Sequence, residues 1–354
     1  MCLISFREEK ISDYKPLFFE MNDEWEEVSK DMEVFTVTNK DTLINHNIRL
    51  LSTKEGYPRL FFADLETPVC ADGECRLAKI KIYWNLLGNY VGYGIDPDEP
   101  LTKFEHDPFD KEDYAKLHAL LLDDNSVLRN REMSELVDEV PVSISKADFG
   151  AVDGISSATK KEIKESVVQG GLYSCYTLWH LVHGEVKKNI SAYLQSIYTD
   201  SLNNYLLYSD YEDYQYYGLK KLPKEAFEKH FEQVIRIFEK TQPLIRTYIL
   251  KKIPNNILED RNNTEQFYRL FSRTDINTKT QLVKKAGSAH LIALEILSGF
   301  SSEMTKNQLK LYLEIFNENP ENLTPLIKSN LLEAARSEKY AYNYLIKEFL
   351  NNKE

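Results

Sequence analysis

The sequence predicts an α+β N-terminal domain, a small sheet with flanking helices, followed by an all-α domain, either HEAT-like or an irregular bundle. Three observations carry this expectation: period-two apolar alternation between Tyr57 and Ile95, apolar residues at helical spacing around Asp110–Asp123 and after Thr159, and the loss of strand signals from Glu185 onward. At 354 residues the chain exceeds one typical domain. The expected division is an N-terminal extension over 1–56, a domain over 57–184 and a helical domain over 185–354.

Residues 1–55 are acidic and aromatic with weak periodicity, as in Asn22-Asp-Glu-Trp-Glu-Glu27, and read as a short helix with extended pieces. From Tyr57 the pattern changes. Arg59–Ala63 reads as a strand, and Ala78-Lys-Ile-Lys-Ile-Tyr-Trp84 alternates apolar and basic residues, as a half-buried strand does. Asn85–Asn89 supplies turn chemistry and Tyr90–Ile95 resumes as a second strand, so the two form a hairpin. Prolines at 97, 100 and 108 then end regular pairing.

Tyr114, Leu117 and Leu121 lie at helical spacing behind Asp110, a good N-cap. After Thr159, Ile163, Val167, Gly170, Gly171, Ser174, Leu178 and Val182 line one face of a predicted helix that ends at His183-Gly184. Beyond Glu185 the chain reads as helix after helix, punctuated at Gly218, Pro223, Pro254, Gly299, Pro320 and Pro325. Helices are expected over 227–240, 244–253, 280–297, 308–316 and 326–335. They form either a stacked array of helix pairs or an irregular bundle.

The 44 basic and 56 acidic residues leave a net charge of −12, so nucleic acid is not expected as a partner. The pairs Lys160-Lys161, Lys187-Lys188 and Lys251-Lys252 read as solvated helix faces. Tyr205, Tyr208 and Tyr211, among acids, recur at helical steps and read as a helix face. No stretch approaches the roughly 18 consecutive apolar residues of a membrane span, and the first residues do not form a basic segment followed by an apolar core. Membrane association is expected only if Cys2 carries a lipid.

Among the four cysteines, Cys70 and Cys75 are close enough in sequence to bridge or to remain free thiols. Cys175, His180 and His183 fall on the helix after Thr159, where packing or a helix terminus explains them as well as metal ligation does. His106 lies in a proline-rich loop. No Gly-x-Ser-x-Gly elbow or paired-carboxylate site marks a hydrolase.

The chemical centre is expected between residues 148 and 183, at Asp153-Gly-Ile-Ser-Ser-Ala-Thr159. This loop precedes a predicted helix, whose free N–H groups suit a phosphate. Capping alone also accounts for it: Ser157 or Thr159 caps the helix, with Glu162 completing a capping box from Thr159.

The order Asp, two residues, Ser, a small residue, Ala, Thr resembles the attachment motif of the FMN-binding domain family. The resemblance implies an electron carrier rather than a complete enzyme, with FMN joined covalently through its phosphate to Thr159 by a dedicated flavin transferase. It further implies that Asp153 and Ser156 shape the loop, that Ala158 leaves room for the cofactor, and that Ser157 stands where the family has glycine. It also implies a redox partner protein and an extracytoplasmic or periplasmic setting. The isoalloxazine ring would carry the redox chemistry. Tyr83, Trp84, Tyr90 and Tyr93 are available to stack on it, or to form the core of the hairpin. The alternative is a non-catalytic helical interaction scaffold with a degenerate, cofactor-free domain of this kind.

Overall fold

A computed structural model describes residues 15–38, 44–67, 78–96, 98–103, 107–136 and 161–352, and its chain divides into two units, Met1–Ile197 and Tyr198–Glu354. The first is α+β and the second all-helical, as the sequence predicts.

The first unit holds a six-stranded antiparallel sheet. Its strands are β1 (Phe18–Phe19), β2 (Lys30–Thr38), β3 (Asn45–Ser52), β4 (Pro58–Thr67), β5 (Ala78–Asn85) and β6 (Tyr90–Gly94), in the order β1-β6-β5-β4-β3-β2. The stretch 1–56, expected as an extension, thus supplies three of the strands, with α1 (Asn22–Glu26) between the first two. The expected hairpin is β5–β6. Asn85 turns it, its Oδ1 accepting from the N–H groups of Leu87 at 2.9 Å and Asn89 at 3.0 Å, while Gly88 takes a positive φ of 79°. At the far edge Gly92 pairs with Phe19; a Cβ there would stand 2.3 Å from the carbonyl oxygen of Phe18, so only glycine admits β1.

One face of the sheet meets helices. α2 (Lys111–Leu122) starts at Asp110, whose side chain accepts from the N–H groups of Glu112 and Asp113, and Asp113 completes the capping box. The single helix expected after Thr159 is two. α3 (Lys161–Ser166) stops, Gly170 turns the chain with φ of 78°, and α4 (Leu172–His183) begins. Gly170 is the physical reason, because a left-handed residue breaks the helical ladder. α5 (Glu185–Ser196) follows and completes this unit, packing Tyr193 on Phe35 and Phe61.

The second unit begins with α6 (Asp200–Tyr208), α7 (Glu212–Lys221), α8 (Phe231–Lys240) and α9 (Pro243–Lys252). It continues through α10 (Asn255–Glu259), α11 (Arg261–Arg269), α12 (Ile276–Ala286) and α13 (Ile292–Ser298) to α14 (Lys306–Glu318), α15 (Pro325–Arg336) and α16 (Asn343–Asn351). Tyr211 falls between α6 and α7, so the helical run of tyrosines ends at Tyr208. The helix expected over 280–297 is likewise two, because α12 ends at Gly287 and α13 starts afresh.

Alternate helices pack on each other: α8, α11, α13 and α15 form one layer, and α9, α12, α14 and α16 the other. With α6 and α7, which pack together, this makes five helix pairs recurring roughly every thirty residues. One apolar core runs from Leu207 to Leu350. Buried tyrosine hydroxyls find backbone carbonyls across it: Tyr268 donates to Leu282 at 3.0 Å, Tyr312 to Leu294 at 2.7 Å and Tyr340 to Met304 at 2.8 Å.

Candidate functional site

Asp153, Ser156, Ser157, Ala158 and Thr159 lie outside the described residues, as do Cys2, Cys70, Cys75 and His106. Described structure resumes at α3, two residues after Thr159. Ile163 and Val167 are buried there, which fixes the start of α3 to the first unit.

Beyond the turn at Gly170, polar groups of α4 are spent on the last turn of α2 and the chain that follows it. Trp179 Nε1 donates to the Asp123 carbonyl at 2.9 Å, and Tyr176 donates to that of Arg131 at 3.0 Å. His183 Nε2 stands 2.9 Å from the Leu121 carbonyl and His180 Nε2 3.2 Å from that of Leu128. A carbonyl only accepts, so both rings carry their proton on Nε2. Burial pushes the His183 imidazole below its ordinary pKa, which keeps it neutral. Cys175 is buried with its sulfur 3.5 Å from the Val168 nitrogen. These three residues therefore anchor α4, and no group of three or more metal-ligating side chains occurs among the described residues.

The hairpin aromatics are core. Trp84 donates from Nε1 to the Val182 carbonyl at 3.0 Å, and Tyr93 donates to that of Tyr114 at 2.9 Å. Tyr83 sits edge-on to Phe19 and Trp25 and beside Phe62. Tyr90 reaches His118 Nδ1 at 2.8 Å, whose Nε2 lies 3.0 Å from the Glu20 carboxylate. This Tyr–His–Glu chain was hidden in the sequence, its members being 28 and 98 residues apart. Burial drives the Tyr90 hydroxyl well above its ordinary pKa, the reverse of an activated nucleophile, so the chain serves to satisfy buried polar groups.

In the second unit a cleft of about 370 Å³ opens beside α6, α7 and α8. Asp210, Glu212, Arg236 and Lys240 give it mixed charge. At its wall Gln233, 3% exposed, donates from Nε2 to the Leu207 carbonyl at 2.8 Å, while its Oε1 has no hydrogen-bond partner among the described residues. Glu212 is already engaged: Thr241 donates to it at 2.6 Å and the Gln242 backbone at 3.2 Å, which holds its carboxyl below the ordinary range.

No family model, curated protein or solved structure matches this chain. Among the described residues no helix is long and apolar enough to cross a membrane. What the described residues offer is a first unit whose aromatic and histidine side chains are mostly engaged with neighbouring backbone and, in the second, a stack whose helix pairs recur roughly every thirty residues.

Proposed function

We propose that this chain is a protein-interaction module whose contact surface lies on the helical stack of its second unit. The observation that supports the reading most directly is the single core from Leu207 to Leu350 running through five helix pairs. A stack of this kind presents repeated helix ends and loops along a continuous surface, which is how helical-repeat proteins hold partners. The test is hydrogen exchange of the full chain alone and with a protein captured from its native host. Protection concentrated in helices between Tyr198 and Asn352 supports the reading; protection confined to residues before Tyr198 overturns it.

A second reading is favoured by the Asp153–Thr159 sequence: a flavin carrier, matured by a flavin transferase, with FMN held on Thr159 and a separate redox partner in an extracytoplasmic setting. Its supports are the order of residues in the motif and the start of α3 two residues later. Co-expression with a flavin transferase should then give a chain that is fluorescent after denaturation and heavier by one FMN less water. Thr159→Ala should abolish both signals. An unmodified intact mass overturns this reading and leaves the interaction reading standing.

A further inference from the structure

Three lysine pairs occupy one recurring place in the second unit. Lys220-Lys221 end α7, Lys251-Lys252 end α9, and Lys284-Lys285 lie in the last turn of α12. Each pair follows a buried apolar residue, Leu219, Leu250 or Val283, and precedes another, Leu222, Ile253 or Ala286. The flanking residues fix which way each helix end faces. Lys220, Lys221, Lys251 and Lys284 are exposed, and Lys252 and Lys285 are half-buried.

The three helix ends share an edge. The rings of Tyr216 and Tyr248, each about a turn before its lysine pair, meet at 5.4 Å, and Lys252 Nζ lies 2.6 Å from the Leu219 carbonyl oxygen. α7 and α9 therefore run side by side in the same direction. α9 packs on α12, with Arg246 from its first half 3.6 Å from Asp275, the N-cap of α12, so these two also run in parallel. Packed helices lie about 8 to 10 Å apart, so the pairs are spread over roughly 20 Å.

None of the six lysines makes an ion pair with a described residue, although the chain carries a net charge of −12. Helix-dipole compensation explains a cation at a helix end but not its doubling at three ends alone. Elsewhere in the second unit α8, α11 and α15 each end with a single basic residue, and α6, α13, α14 and α16 with none. Doubling is confined to three neighbouring ends on one edge. Burial lowers the pKa of both Lys252 and Lys285; Lys252 is held by the Leu219 and Lys220 carbonyls, which leaves the exposed Lys220, Lys221, Lys251 and Lys284 as the charges that face outward.

We propose that this edge docks a carboxylate-rich, extended segment of a partner protein, about six to eight residues long, laid across the ends of α7, α9 and α12. The inference rests on the interaction reading above and names its partner chemistry. A nucleic acid fits less well. The nearby rings are already faced by ammonium groups, Lys220 standing 4.1 Å from the Tyr216 centroid and Lys221 5.7 Å from that of Tyr217, and the acidic remainder of the chain repels a long polyanion.

The test is fluorescence anisotropy of the full chain with a labelled glutamate-rich peptide of about eight residues, with an oligothymidylate of matched charge in parallel. Saturable peptide binding that weakens with salt is expected. The Lys220→Glu/Lys251→Glu/Lys284→Glu variant should weaken it by at least about tenfold, whereas Lys54→Glu/Lys229→Glu/Lys328→Glu, the same charge change at other exposed lysines, should stay within about twofold. A triple lysine-to-glutamine variant at the edge, milder for folding, should fall between. Absence of saturable binding, equal losses in the two charge-reversed variants, or tighter binding of the oligothymidylate overturns the proposal. If the peptide fails while a captured partner still protects the stack elsewhere, the basic edge falls and the interaction reading survives; if the stack is not protected at all, that reading falls with it.

Discussion

Lys252 closes the end of a helix that is not its own: its ammonium, at the end of α9, donates to the Leu219 carbonyl at 2.6 Å and to that of Lys220 at 2.7 Å, the last carbonyls of α7. Those oxygens have no partner within α7. Charge-assisted bonds to them are worth more than neutral ones. Lys252→Met should therefore destabilise the second unit by about 1 to 2 kcal/mol in denaturant unfolding. Lys251→Met, one residue earlier and exposed, should stay within about 0.5 kcal/mol. The two lysines of one pair are thus separable, one holding the stack and the other free to meet a partner.

Gly218 should reverse a general rule. Within an exposed helix, glycine-to-alanine stabilises by about 1 kcal/mol. Gly218 is buried in α7, where a Cβ would stand 2.8 Å from Leu207 Cα in α6. That neighbour is backbone and cannot rotate away. Gly218→Ala should destabilise by about 1 to 3 kcal/mol, and a melting temperature at or above that of the parent would show that α6 and α7 are not in such close contact.

How much was legible follows from which local signals survived packing. The β5–β6 hairpin is legible because Ala78–Ile82 alternates apolar and basic residues and Asn85 marks the turn, and α2 because Asp110 caps it. β2 was missed: its register shifts between Glu33 and Phe35, which interrupts the period of two, and its position at the sheet edge leaves most of it solvated. In the sequence the helix stack is legible as an array of helix pairs or an irregular bundle, without a repeat consensus. The 3-10 turns at Lys224–Ala226 and Phe271–Arg273, and the extra helix α10, change the spacing from one pair to the next. Lys251-Lys252 reads in the sequence as a solvated face, and Lys251 is exposed; that three such pairs share an edge is visible only from the parallel run of α7, α9 and α12. For the candidate site, the sequence still carries the whole case for Thr159, since 153–159 fall outside the described residues.

Glu212 should confer acid sensitivity on the second unit. Its carboxylate, first residue of α7, accepts from Thr241, the Gln242 backbone and the Gln242 side chain, and these bonds, the first above all, hold its pKa below the ordinary 4.5. A carboxyl depressed on folding stabilises fully above its unfolded pKa and loses that contribution as pH falls through the folded value. Glu212→Gln should cost about 1 kcal/mol or less at neutral pH, because the group is largely solvated. The difference should close as pH drops below 4.5. A gap that persists unchanged in strong acid would mean that charge is not what Glu212 contributes.

Trp84 separates a core role from a cofactor platform. Its indole is fully buried and donates to the Val182 carbonyl near the end of α4, where the turn at Gly184 interrupts the helix. Trp84→Phe removes the donor, leaves that carbonyl without its indole partner and opens a void, so a loss of about 2 to 4 kcal/mol is expected. Tyr93→Phe keeps the ring and forfeits only the bond to the Tyr114 carbonyl, so it should cost about 1 to 2 kcal/mol. The order of the two effects is the prediction, read by thermal unfolding of the first unit. If flavin is attached at Thr159, its yield per folded molecule should be the same in both variants, since neither ring offers the cofactor a free face. A Tyr93→Phe variant that folds normally yet changes the spectrum of an attached flavin would place the hairpin beside the ring after all.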